Sequence, residues 1–141
     1  MMTSFDQIRK GASAKGKKRL VVAPVTAATD LSTLSAAMAE GLVFPVLVGD
    51  GKAAASWLGR EKIPAAHLEV IDEPDGGKAL ALAIDMVKKE AAEILMRGDM
   101  APGPFLGAVL DREKGLLKER VASVVSVFDP PGVNRVTMAT D

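Results

Sequence analysis

EILMRGDMAPGPFLGAVLD, residues 93–111, decides how the rest of the chain is read. Ile94, Leu95 and Met96 make a short apolar run that reaches a turn at Gly98. Pro104 then opens a second pattern, in which Phe105, Leu106, Val109 and Leu110 recur at helical spacing. Strand, loop and helix in that order form the repeating unit of an open parallel sheet, whose ligands bind at the carboxyl ends of the strands. A loop that hands the chain to a helix also presents unpaired backbone N–H groups to an anion.

The same alternation runs upstream. Residues 20–25 (LVVAPV) are a continuous apolar, β-branched run, as expected of a strand buried on both faces. Asp30 is placed to cap a helix carrying Leu31, Leu34 and Met38, with Gly41 as its stop. Residues 43–48 repeat the buried-strand pattern, with Pro45 pushing its own position toward a strand start or edge. Gly49-Asp50-Gly51 turns the chain into a second helix from Lys52 to about Leu58; residues 67–71 follow as a third strand. Leu80, Ile84, Val87 and Ala91 then line one face of the clearest amphipathic helix, with Lys88, Lys89 and Glu90 in its polar arc. Before all this, Phe5 and Ile8 allow a short helix ending near Gly11.

Beyond Gly115 the pattern changes. Residues 121–128 (VASVVSVF) and 136–140 are strand-like and flank the turn Asp129-Pro130-Pro131-Gly132, which predicts a hairpin. The expected fold is therefore α/β, a three-layer α/β/α arrangement around a mainly parallel sheet with a C-terminal β-hairpin. A length of 141 residues suits a single domain over residues 1–141.

Composition narrows the function. Eighteen Lys+Arg balance eighteen Asp+Glu, and four Phe with one Trp supply the aromatics, so the basic, ring-rich surface of a nucleic-acid binder is missing. The cluster Lys15, Lys17, Lys18, Arg19 reads as a solvated run. The chain has no Cys, which removes disulfides, thiolate metal sites and cysteine nucleophiles, and fits a cytoplasmic protein. No apolar stretch approaches the length of a membrane span, so no membrane partner is expected.

One histidine, His67, sits between Ala66 and Leu68 with no partner set by spacing, and neither a Gly-x-Ser-x-Gly elbow nor a Walker loop is present. Carboxylates are scattered on expected helix surfaces, and no metal site is expected. The polar candidates lie in loops at strand ends: Arg97 and Gly98, Ser123, Ser126, Asn134 with Arg135, and Asp141. A guanidinium can grip phosphate oxygens while a carboxylate accepts a proton.

ILMRG, FLGAVLDREKGL, SVVSVFDPPG and the closing VTMATD together resemble the phosphate acetyl/butyryl transferase family, and its phosphate butyryltransferase branch in particular. FDQI, LVVAPV and FPVLVGD fit the N-terminal portion of that family. The resemblance implies an isocitrate dehydrogenase-like α/β/α fold and reversible acyl transfer between coenzyme A and inorganic phosphate. Both are substrates, and no resident cofactor is implied. On the matching positions, Asp141 falls on the catalytic aspartate that takes the thiol proton of coenzyme A. Arg135 falls on a basic position that holds phosphate, and Ser123 on a serine that donates to it. Arg97 stands where the family has lysine, Ala101, Pro102, Gly103 and Pro104 replace a hydroxyl-rich loop, and Val124 stands in place of histidine. These replacements remove hydroxyl and N–H donors.

The family motif continues past its aspartate, whereas this sequence stops at Asp141. A last strand with nothing beyond it leaves an edge and an apolar face for another chain, so a homo-oligomer or a partner chain is expected. Two further readings stand beside the transferase. One is a non-catalytic interaction domain that keeps the fold and pairs with a partner chain; the other is a small α/β nucleotide-binding domain.

Overall fold

The computed structural model describes residues 4–117, 121–133 and 135–141. The apolar run at 20–25 lies in strand β1, Lys18–Val25, whose last five residues are all buried. Three further strands, β2 (Val43–Gly49), β3 (Glu69–Asp72) and β4 (Ile94–Arg97), join it in one parallel sheet of order β3-β2-β1-β4. The first strand of the chain is therefore interior. Val21 sits opposite Val46 on one side and Leu95 on the other.

Five helices accompany these strands among the described residues: α1 (Phe5–Ala14), α2 (Ser32–Ala39), α3 (Gly51–Glu61), α4 (Gly76–Lys88) and α5 (Pro102–Val109). Strand side chains alternate between two faces, and each face has its own core. Val22, Val25 and Leu47 pack with Leu34 of α2 and with Ala54 and Trp57 of α3. Val21, Ala23, Val46 and Val48 pack with Ala79 and Ala83 of α4. Each fully buried Val or Leu contributes about 1.5–3 kcal/mol over its exposed state, which makes the two layers mutually dependent. The three-layer α/β/α expectation is met.

Local signals explain the boundaries. The Asp50 carboxylate accepts the N–H groups of Lys52 (2.8 Å) and Ala53 (3.2 Å), and Asp75 accepts that of Lys78 (2.8 Å), so α3 and α4 start on capped turns. Gly41, at φ 70°, ends α2 as expected. Pro45 is accommodated inside β2 because pairing with β3 begins only at Val46.

Several boundaries differ from expectation. The first helix runs past Gly11 to Ala14, and α5 opens at Pro102, two residues before Pro104. Leu31, not Asp30, is the cap of α2; Asp30 stands one residue outside and takes the Ser32 N–H at 2.9 Å. Ala65–His67 form a 3₁₀ turn after Pro64, so β3 starts at Glu69 and His67 is not in a strand. The helix expected from Lys52 to Leu58 runs on to Glu61 and closes on Lys62 at φ 55°. The amphipathic helix stops at Lys88 because Glu90 turns left-handed (φ 59°), and Ala91 lies beyond it.

At the C-terminus β5 (Val125–Phe128) and β6 (Thr137–Thr140) form the expected hairpin as a separate antiparallel sheet, shorter than the strand-like runs that predicted it. A backbone hydrogen bond from Phe5 to the Asp129 carboxylate (3.2 Å) ties the hairpin segment to the start of α1. Cross-strand register puts Val125, Val127, Met138 and Thr140 on one hairpin face. That face is open, Met138 being 72% exposed. Among the described residues no helix is long and apolar enough to cross a membrane.

Candidate functional site at the carboxyl end of the sheet

From β1 the sheet grows to one side through β2 and β3 and to the other through β4, so its switch point lies between β1 and β4. The loops leaving those two strands diverge there, as in open α/β sheets that bind ligands in the crevice. The two loops are held close. Gly98 N–H donates to the Ala23 carbonyl (3.0 Å) and Asp99 N–H to the Pro24 carbonyl (2.8 Å). A Cβ on Gly98 would stand 2.0 Å from the Pro24 oxygen, so only glycine allows this approach.

Side chains complete the link. The Thr26 hydroxyl donates to Asp99 Oδ2 (2.5 Å) while accepting the Ala28 N–H (3.1 Å), and the Thr26 N–H donates to Thr29 Oγ1 (2.8 Å). Arg97, expected to face phosphate, instead turns its guanidinium onto the Met100 carbonyl of its own loop. It braces the turn into α5. Ala101 caps α5 without a side-chain hydrogen bond, and with prolines at 102 and 104 the first turn keeps few backbone donors. Thr26 and Asp99 escaped the sequence reading; their signal was position alone, just past the ends of β1 and β4.

The remaining candidates lie on the hairpin, and the structure separates them. Asp141 accepts the Val124 N–H at 3.0 Å, which places it beside Ser123 at the open end. Arg135 lies at the turn end, where its N–H donates to the Val133 carbonyl (2.7 Å). Four residues of extended strand, a rise of about 13 Å, stand between them. Ser126 pairs with Ala139 in mid-hairpin. Asn134 lies outside the described residues. Arg97 and Gly98 belong to the main sheet, so the six predicted positions form two groups with Arg135 apart from Asp141.

A cavity of about 400 Å³ runs along α4 between Ile84, Lys88 and Asp111, and none of the predicted site residues lines it. Asp111 there is occupied: the Lys114 and Glu113 N–H groups hold its carboxyl below the ordinary value. No group of three potential metal ligands occurs among the described residues.

At the opposite, amino end of the sheet, two members of the basic run, Lys18 and Arg19, are paired while Lys15 and Lys17 are exposed. Lys18 Nζ meets Glu93 at 3.1 Å, the Arg19 N–H donates to Glu93 at 2.7 Å, and the Arg19 guanidinium meets Glu69 at 2.8 Å. The Arg19 N–H, and after it the Lys18 side chain, lower the Glu93 pKa below its ordinary 4.5. Asp30 is likewise lowered from 3.8 by the Ser32 N–H and hydroxyl. A lowered carboxyl contributes stability that is present above its unfolded pKa and lost as pH falls through the folded one. Denaturant midpoints are therefore expected to hold level near neutrality and fall once pH drops below about 4.5. Glu93→Gln should lower the neutral midpoint and flatten the acid limb; parallel curves for the two proteins would remove Glu93 from this role.

An open parallel sheet with its loops gathered at one end places this chain among the open α/β architectures. No family profile matches the chain. Along all of its 141 residues, however, it is 28% identical to the phosphate butyryltransferase of Clostridium acetobutylicum, of which it covers 47%. It is also 28% identical over 141 residues to the phosphate butyryltransferase of Clostridium beijerinckii. With the phosphate acetyltransferase of Rhizobium meliloti it shares 25% identity over 139 residues, 44% of that protein. The chain thus spans about half the length of the curated relatives it matches. The resemblance to the phosphate acetyl/butyryl transferases covers the whole of this chain.

Proposed function

We propose that the chain is part of a cytoplasmic phosphate acyltransferase, which moves an acyl group between coenzyme A and inorganic phosphate. Similarity to phosphate butyryltransferases along all 141 residues carries this reading. In it, Asp141 accepts the thiol proton of coenzyme A so that sulfur attacks the acyl phosphate carbonyl, with phosphate leaving. Ser123 shares the open end of the hairpin with Asp141 and donates to the phosphate. Arg135, at the other end, serves a phosphate only through a second surface brought to the hairpin. The switch-point loops, braced by Arg97 and Gly98, form the floor.

Free thiol released from acetyl-CoA and butyryl-CoA, with and without inorganic phosphate, tests the proposal. Phosphate-dependent release is expected; its absence in a folded sample would move the assignment to the second reading, a domain that pairs with another chain without catalysis. The open apolar face of the hairpin favours that reading.

In either case we propose that the hairpin face of Val125, Val127 and Met138 is covered by a second copy of the chain. An isolated two-stranded hairpin is marginal in water, and these side chains are exposed. Light scattering should give a mass above the 14.7 kDa of one chain, lowered toward it by Met138→Asp. A wild-type monomer would refute the association.

A further inference from the structure

A small recess of about 90 Å³ opens between the β1–α2 loop and α3, at the carboxyl end of the sheet. Its floor is apolar: Val25, Leu31 and Trp57 are buried. Its rim is made of donors. Ser56 and Arg60 are four residues apart on α3 and so share one helix face, and Thr29 comes from the loop opposite.

These donors are free to serve a ligand. Neither the Ser56 hydroxyl nor the Arg60 guanidinium has a hydrogen-bond or ion-pair partner among the described residues. Thr29 Oγ1 already accepts the Thr26 N–H (2.8 Å), which leaves its own proton to donate. No carboxylate lines the recess. A permanently charged guanidinium and two hydroxyls on the lining of one recess offer donors and one positive charge, which an anion complements. At roughly 30 Å³ of liquid volume per water, the space is that of about three waters, enough for one small oxyanion and too little for a nucleotide.

We infer that this recess, formed by Thr29, Ser56 and Arg60 over Trp57, binds a single phosphate group, either inorganic phosphate or the monoester end of a larger molecule. The site stands on α3 and the β1–α2 loop, and is independent of the acyl-transfer reading. The Thr26–Asp99 hydrogen bond links its loop to the loop that follows β4.

Trp57 is the chain's one tryptophan and lies against the recess, so its emission reports binding without a label. Inorganic phosphate and methyl phosphate are titrated separately at constant ionic strength against the full chain. A saturable change is expected. Equal or tighter binding of inorganic phosphate assigns the free ion, and tighter binding of methyl phosphate assigns the ester. Arg60→Gln should weaken either by about tenfold or more, the loss of a charge-assisted contact, and Ser56→Ala by less. Lys10→Gln, which removes a positive charge elsewhere, should leave the midpoint unchanged; circular dichroism confirms that each variant is folded. No saturable response in the wild type, or the same midpoint in Arg60→Gln and Ser56→Ala, overturns the inference. Because thiol release is not the readout, failure here leaves the transferase proposal standing, and the converse holds.

Discussion

Gly98→Ala is expected to cost about 3 kcal/mol or more of folding stability, well above an ordinary surface change. The added methyl would sit 2.0 Å from the Pro24 carbonyl oxygen and 2.8 Å from its carbon, both backbone atoms that cannot swing aside. Relief requires parting β4 from β1, which breaks the Gly98 and Asp99 hydrogen bonds to Ala23 and Pro24. Gly107, in the body of α5, is the matched control, since a methyl added there would meet nothing within 4 Å. There alanine should raise stability, by up to about 1 kcal/mol, because it restricts the unfolded chain and favours helix. Chemical denaturation followed by Trp57 emission measures both. An unchanged midpoint for Gly98→Ala would mean that the two loops are not packed as described.

Asp141→Asn should reduce phosphate-dependent thiol release by about 10²- to 10⁴-fold in any assembly that turns over, the range usual for losing a positioned base. The substitution is nearly isosteric, and the amide oxygen still accepts the Val124 N–H that the carboxylate holds at 3.0 Å. Loss of activity with an unchanged denaturation midpoint would therefore report proton acceptance, not hairpin collapse. Arg135→Gln, at the other end of β6, should act on the dependence on phosphate concentration instead. If Asp141→Asn turns over like the wild type, the proton acceptor lies elsewhere, and Asp99 at the switch point is next to be tested.

The parallel sheet was readable because its central strands are buried on both faces and so are written as uninterrupted apolar runs. Residues 20–25 and 43–48 needed no context to be recognised, and Asp50 marked the start of α3 through its own capping chemistry. Where local chemistry had two solutions the reading slipped. Leu31 displaced Asp30 as the cap because the Asp30 carboxylate is satisfied by Ser32 from one position further out. Ala91 fits the periodicity of α4, yet a left-handed Glu90 breaks the helix before it, which spacing alone does not reveal.

The candidate residues were legible one at a time and not as a constellation. Arg135 and Asp141 are close in sequence, but a strand between them converts six residues into distance, whereas the same interval in a helix would have kept them near. Arg97 carries the charge a phosphate site needs, yet its guanidinium is engaged by Met100 within its own turn. Ser56 and Arg60 were missed for a simpler reason: the helix was expected to end near Leu58, which left Arg60 off it.

The interior place of β1 bears on how the chain is made. Its partner β2 and then β3 emerge soon after it, but its other edge has no neighbour until Ile94–Arg97 is synthesised, beyond the whole of α4. At ribosomal speeds that interval is on the order of seconds. Throughout it, a nascent three-stranded sheet shows an unpaired, strongly apolar strand to its surroundings, the template on which other chains add. The four residues of β4 take that edge in the finished sheet, so the strongly apolar β1 ends in the interior and a shorter, less buried strand stands at the edge.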